Sequence, residues 1–303
     1  MNDELLNQSI ILIAQALNNS HGAIPISITT TQNQGQFLTS VILALFGSIF
    51  VLFYVWIFTK PLIAEIFIKT KLRSIVKKTK RPILFIKHTE QSLFGGSMID
   101  TNTMLKLSKA LSKFKGKPFD LVLHTPGGEI FSSMFISRIL KTYPSQIRTF
   151  IPFYAMSGGT LLALSGSELY MSPISCIGPV DPQLGNLFKF GSAKAWDKIV
   201  KFKGKKAEDS SISFAMMGNQ YTKSIATHIN NLLLDRIPNA KQRLEFVRFL
   251  TSGEVEHAYA LRPTDVKKFG LPVKILPSFI QKALAKIISS DMYEGVYSLG
   301  VND

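Results

Sequence analysis

An α/β layered domain carried behind a single transmembrane helix is the fold class that this 303-residue sequence predicts. Three observations predict it. Strand-like runs at 83–87, 120–124, 147–154 and 168–172 alternate with helix-period runs at about 103–114, 128–142 and 158–165, the pattern of a largely parallel sheet with right-handed helical crossovers. An uncharged apolar run, Phe37 to Phe58, precedes all of them. Two of the strands also end in paired glycines directly before a helical run, which puts unpaired helix N–H groups at the strand ends.

From the N-terminus, residues 1–36 form a tail with Asp3 and Glu4 and no lysine or arginine. Inside it Leu5 to Leu17 is apolar but broken by Asn7, Gln8, Ser9 and Gln15. It is too short to span a bilayer and is expected on the outer surface or in a disordered state. Residues 37–58 are long enough to cross a hydrocarbon core of about 30 Å, and Tyr54 and Trp56 suit its interface. The alternative of a buried core helix is disfavoured, because a helix apolar on every face for six turns rarely occurs in a soluble protein. The run is too long for a cleaved signal peptide and lacks the preceding positive charge.

Residues 59–82 read as a basic juxtamembrane linker. Lys60, Lys69, Lys71, Arg73, Lys77, Lys78, Lys80, Arg81 and Lys87 stand against Glu65 alone. The positive-inside rule then places the N-terminus outside and the body in the cytoplasm, on the inner membrane. Residues 83–276 form the catalytic domain, large enough for one core. A more helical segment runs from about 210 to 252, and Gly253 and Gly270 suit helix C-termini. Residues 277–303 hold an amphipathic helix at 278–290 and a tail.

The formal net charge of +15 raises nucleic acid as a partner. Much of it is juxtamembrane, where attraction to anionic lipid headgroups, about 1 kcal/mol per basic residue, is the simpler account. No zinc-finger spacing or aromatic RNA-binding signature accompanies it, so membrane lipids rather than nucleic acid are expected. The single cysteine, Cys176, excludes an intramolecular disulfide framework and reads as a small buried residue. CxxC, HExxH and a strand-borne GxGxxG are all missing from the sequence, so neither a metal site nor a cofactor is expected.

The chemistry concentrates in the two glycine turns. Ser157 lies in Ala155-Met156-Ser157-Gly158-Gly159-Thr160, after one strand-like run and before one helical run. A tight turn there lifts the hydroxyl out of the sheet, so Ser157 is a candidate nucleophile. Upstream, Leu121-Val122-Leu123-His124-Thr125-Pro126-Gly127-Gly128-Glu129 has the same architecture. Neighbouring turns of this kind aim N–H donors and helix dipoles at a common point, as stabilisation of a tetrahedral intermediate or an enolate requires. Taken alone, either stretch is an ordinary turn. The pair carries the argument. His124 ends a strand and is placed to orient its turn.

HTPGG at 124–128, AMSGGT at 155–160 and GPVDPQLG at 178–185 resemble the membrane-bound Clp/crotonase-type proteases, most closely the serine dehydrogenase proteinase family. The likeness extends from about Ile83 to Val273, through SGEV at 252–255 and DVKKFGLPV at 265–273. The resemblance implies a Clp/crotonase-like repeated ββα domain and a serine peptidase. Its nucleophile would be Ser157, and its oxyanion hole would use Gly158 with Gly127 or Gly128. It also implies protein or peptide substrates and a homo-oligomer.

For the base, the resemblance leaves two solutions. Where Clp-type proteases carry a histidine, this sequence has Asp181, which either orients a base or starts a Pro-containing turn. Related signal peptide peptidases use a lysine before a helix, which here points to Lys206 or Lys205 within Lys198–Lys206. A lysine base must be desolvated to fall below its ordinary pKa of about 10.4. His257 is the second candidate, at a place where this family has a histidine, and an imidazole is the easier base. Two further readings of the same fold are a crotonase-like acyl-CoA enzyme and a non-catalytic membrane scaffold.

Overall fold

The computed structural model describes residues 11, 15, 32–89, 97–186, 188–290, 294–301 and 303. The chain divides into two compact units, Met1–Thr59 and Lys60–Asp303. Apart from Ile11 and Gln15, the apolar stretch Leu5 to Leu17 lies outside the described residues.

Helix α1 (Gln32–Thr79) is 48 residues long and contains the uncharged run. Among the described residues it is the one helix long and apolar enough to cross a membrane. Within the first unit Leu43, Phe46, Phe50 and Leu52 are exposed, the state expected of side chains that face lipid rather than a protein core. Residues 60–79, expected as a linker, are instead helical. Ala64, Ile68, Leu72, Ile75 and Val76 recur at helical spacing and are buried, so the basic run is the solvent face of an amphipathic helix.

The remaining elements are β1 (Ile83–Lys87), α2 (Thr101–Phe114), β2 (Phe119–His124), α3 (Ile130–Lys141), β3 (Ile147–Ile151), β4 (Tyr154–Ala155), α4 (Gly158–Ser165), β5 (Glu168–Met171), β6 (Cys176–Ile177), β7 (Gln183–Gly185), β8 (Phe190–Ser192), α5 (Ala193–Lys203), a 3₁₀ turn (Gly204–Lys206), α6 (Asp209–Leu233), α7 (Ala240–Thr251), α8 (Pro263–Lys268), β9 (Val273–Ile275), α9 (Ser278–Ile288) and β10 (Gly295–Leu299). The α/β class and the alternation read from the sequence hold.

Six strands form the main sheet in the order β10-β1-β2-β3-β5-β9. Only β10, antiparallel to β1, departs from parallel pairing. Helices cover both faces. Leu84 and Ile86 of β1 pack into one core with α2, α3, α4, α6 and α7, while Ile83 and Phe85 pack into a second with α1 and α9. Strands β1 and β2 are buried at every position, as a strand covered on two faces must be. Arg148 grips the buried Asp120 with Nε at 2.7 Å and Nη2 at 2.8 Å. Arg81, just beyond α1, pairs with Asp120 and donates to the carbonyls of Phe119 and Gln146. The foot of α1 is thereby tied to the sheet.

A second, smaller layer forms where the main strands end. Thr125 bridges Ala155, β4 pairs with β6, and Ile177 bridges Leu261. Four segments far apart in sequence therefore lie side by side, and the two glycine turns emerge from the first two.

Candidate active site

Ser157 caps α4 with φ 49° and ψ −120°, a conformation costly for any side chain bearing a Cβ and common at functional turns. The surroundings enforce it. Met156 N–H donates to Thr125 O at 3.0 Å, Gly159 N–H to Met156 O at 2.7 Å and Thr160 N–H to Ser157 O at 2.8 Å. Thr160 Oγ1 lies 2.9 Å from Ala155 O and 2.8 Å from Gly178 O, and accepts from Gly178 N–H at 3.2 Å. One threonine thus joins the serine turn to the segment after β6.

The two glycine turns abut. A Cβ on Gly127 would come within 2.8 Å of Ser157 Cβ and 3.0 Å of Gly158 N. One on Gly158 would strike Ser133 Oγ of α3 at 2.1 Å and stand 3.5 Å from Gly128 N. One on Gly128 would sit 2.2 Å from Ile99 O. Side chains at Gly127 and Gly158 would force the two turns apart, and one at Gly128 would clash with the backbone of Ile99. The N–H of Gly127 is taken by Thr125 Oγ1 at 3.1 Å, whereas those of Gly128 and Gly158 have no acceptor among the described residues. Of the two upstream glycines, Gly128 is the one with a donor to offer.

His257 and Asp181, 76 residues apart, meet with Nδ1 2.7 Å from Oδ1. The imidazole side chain is 36% exposed and the carboxylate 3%. The bridge between Ile177 and Leu261 carries the two segments together, and the missing Cβ of Gly178 would lie 2.3 Å from Met156 Cε and 3.5 Å from Tyr259 O. This histidine pair accordingly belongs to the same loop cluster as the serine turn. Asp181 does not merely start a turn. It is buried and hydrogen-bonded to an imidazole, a pairing that the sequence reading did not make.

Lys205 and Lys206 lie in the exposed 3₁₀ turn between α5 and α6, and their side chains take part in no hydrogen bond or ion pair among the described residues. Nothing there desolvates an amine, which a lysine base would need. Cys176 is half-buried on β6, and burial raises its thiol pKa, the opposite of what a nucleophilic thiol requires.

Sequence reasoning named His124 but passed over two further buried histidines, His88 and His228. His88 sits between Thr125 Oγ1 (3.2 Å from Nδ1) and Thr103 Oγ1 (3.4 Å from Nε2), on the far side of the turn that holds Gly127. His124 packs against the ring of Tyr154, with centroids 4.2 Å apart. Burial, followed by the field of nearby cations, lowers His124 to about 4. Burial first also lowers His88 to about 4 and His228, bonded to Ser137 Oγ at 2.7 Å, to about 4. Between pH 4 and the ordinary value of 6.5 the unfolded chain binds protons on these rings and the folded chain does not, so stability rises with pH across that window. The melting temperature is expected to fall as pH drops from about 6.5 to about 4, and His124→Phe should flatten that slope. An acid slope unchanged by the substitution would count against buried neutral His124.

Two uncharacterized proteins of Methanocaldococcus jannaschii are similar in sequence. MJ0137 is 33% identical over 211 residues, covering 67% of this chain and 71% of that protein. MJ1495 is 34% identical over 156 residues, covering 52% of each. Among solved structures, a mutant of the 1510-N membrane-bound stomatin-specific protease aligns with TM-score 0.43 and 17% identity over 63% of this chain and 79% of that one. ClpP1 from Listeria monocytogenes aligns with TM-score 0.42 and 13% identity over 68% and 96%. The sequence model of the ClpP-like SDH-type serine proteinases matches residues 36–284. That match covers most of the chain, including both glycine turns, Asp181 and His257, and by it this protein belongs to the ClpP-like SDH-type serine proteinase family and is a serine peptidase.

Proposed function

We propose that this serine peptidase is a membrane-anchored endopeptidase working through Ser157, His257 and Asp181. The observation that carries the reading is the 2.7 Å contact of His257 Nδ1 with the buried Asp181, in the loop cluster bonded through Thr160 to the serine turn. With Nδ1–H given to the carboxylate, Nε2 is left as the basic nitrogen. His257 thereby takes the role for which Lys205 and Lys206 were the first candidates.

Ser157 Oγ attacks the scissile carbonyl as its proton passes to His257 Nε2. The oxyanion accepts hydrogen bonds from Gly158 N–H and Gly128 N–H, helped by the positive ends of α4 and α3. Collapse expels the amine, which takes the proton back from His257 and leaves an acyl-Ser157. Water then attacks with His257 again as base, releasing the carboxylic acid and restoring the serine. An acyl-CoA enolate mechanism would use the N–H pair but would leave the His257–Asp181 partnership without a task.

The uncharged run 37–58 of α1 supports membrane anchoring, and the basic residues that follow this run support a cytoplasmic catalytic unit on the inner membrane. Substrates are then membrane proteins or peptides left in the bilayer. Phe188, Phe190, Phe202 and Met216 are exposed apolar side chains, of the kind that self-association covers.

The reading is tested with a fluorophosphonate probe on the detergent-solubilised full chain, the modified residue being located by mass spectrometry. Label on Ser157 supports it, and no label on correctly folded protein sinks it. Topology is tested separately in inverted and right-side-out vesicles. An N-terminal tag should be cut by added protease only in right-side-out vesicles, and cutting only in inverted ones would reverse the orientation.

A further inference from the structure

We infer that Gln183 is a positioning residue whose side-chain amide holds the Asp181 carboxylate in the orientation that receives Nδ1–H of His257. The inference rests on the reading of Ser157, His257 and Asp181 as the catalytic set. Asp181 is almost fully buried, and each of its oxygens has one close partner. Oδ1 lies 2.7 Å from His257 Nδ1, and Oδ2 accepts from Gln183 Nε2 at 2.7 Å.

A carboxylate torsion is broad and twofold, so an aspartate held at one oxygen alone can swing the other into its place. Gln183 removes that freedom. Its own position is fixed by backbone, because Gln183 pairs with Ser192 in the β7–β8 hairpin and Pro182 O accepts from Ala193 N–H at 2.9 Å. Asp181 lies two residues before the start of β7, within direct reach of the Gln183 amide.

The amide also decides the tautomer. An ionised carboxylate only accepts, so Gln183 must present its NH₂ group to Asp181. That same Nε2 lies 3.3 Å from His257 Nδ1. A donor at this place cannot receive the imidazole proton, so Nδ1–H has Asp181 as its sole acceptor on this side and Nε2 remains free to take the serine proton. Other charges near the pair are otherwise engaged or peripheral. Glu254 is held by Arg248 at 3.2 Å and Lys194 at 3.4 Å, and Glu256 is the chain neighbour of His257. The missing Cβ of Gly253 would stand 3.5 Å from Asp181 Oδ2, so no other side chain replaces Gln183 from that direction.

The test measures the second-order rate constant of fluorophosphonate labelling at Ser157 between about pH 5 and 9, on full-length wild type, Gln183→Leu, Gln183→Glu and His257→Ala. Gln183→Leu should label about 10- to 100-fold more slowly at every pH, the usual cost of losing an orienting partner. Gln183→Glu puts a second carboxylate beside the imidazole and favours its protonated form. Its acid limb should therefore move up by about one pH unit or more. A purely structural role would lower the melting temperature without moving that limb. Labelling of Gln183→Leu at the wild-type rate, or an unmoved limb in Gln183→Glu, overturns the inference while leaving the catalytic set intact. Labelling of His257→Ala as fast as wild type would instead remove the base reading, and the inference with it.

Discussion

Replacement of Ser157 by alanine is expected to lower peptide hydrolysis by about 10⁴- to 10⁶-fold and to abolish covalent labelling, with little change in melting temperature. Both halves follow from the turn. The hydroxyl is the only group at this position able to form the acyl intermediate, and the N–H donors of Gly128 and Gly158 remain to give a small residual rate. Alanine keeps the Cβ, so the strain of φ 49° persists and stability barely moves. Glycine separates the two effects. Ser157→Gly should be as inactive as Ser157→Ala yet more stable by about 1–3 kcal/mol, the usual strain at such a residue. Thermal melting of the two inactive variants with hydrolysis of a fluorogenic peptide checks both. Residual turnover above about one per cent of wild type in Ser157→Ala would mean that another nucleophile carries the reaction.

The elements around that turn were legible because each signal is local. A strand, a glycine pair and a helix occupy about a dozen consecutive residues at 121–134 and again at 150–164, and the structure reproduces both. Gly253 and Gly270 end α7 and α8 with φ 62° and 83°, again a local property. The proposed base was not legible from residue chemistry alone, because Asp181 and His257 are 76 residues apart and come together where Ile177 bridges Leu261. The lysine run drew attention by its density, but density of charge marks a solvated surface more often than a desolvated amine. Residues 59–82 were misread for a related reason. The basic residues hid the repeat Ala64, Ile68, Leu72, Ile75, which buries the helix against the sheet. Short strands such as β7, β8 and β10 carry three to five residues each, too few for a two-residue period to stand out.

Loss of the imidazole should be nearly as damaging as loss of the hydroxyl, and the comparison with the lysines decides between the two base assignments. His257→Ala is expected to lower hydrolysis by about 10⁴-fold or more, and Asp181→Asn by about 10³- to 10⁴-fold. The second effect arises because an amide at 181 can offer its NH₂ group to Nδ1, which then accepts rather than donates. The ring proton moves to Nε2, the nitrogen that must stay free to take the proton of Ser157. The two losses should not add, since Asp181 acts only through the imidazole; the double variant should match His257→Ala to within a few-fold. Lys205→Ala and Lys206→Ala should keep activity within about twofold of wild type, as exposed side chains without partners have little to lose. The measurement is hydrolysis of one fluorogenic peptide by all five variants. If His257→Ala retains wild-type turnover while either lysine variant is inactive, the proton passes through an amine that the assembled protein must desolvate, and Asp181 and His257 form only a structural pair.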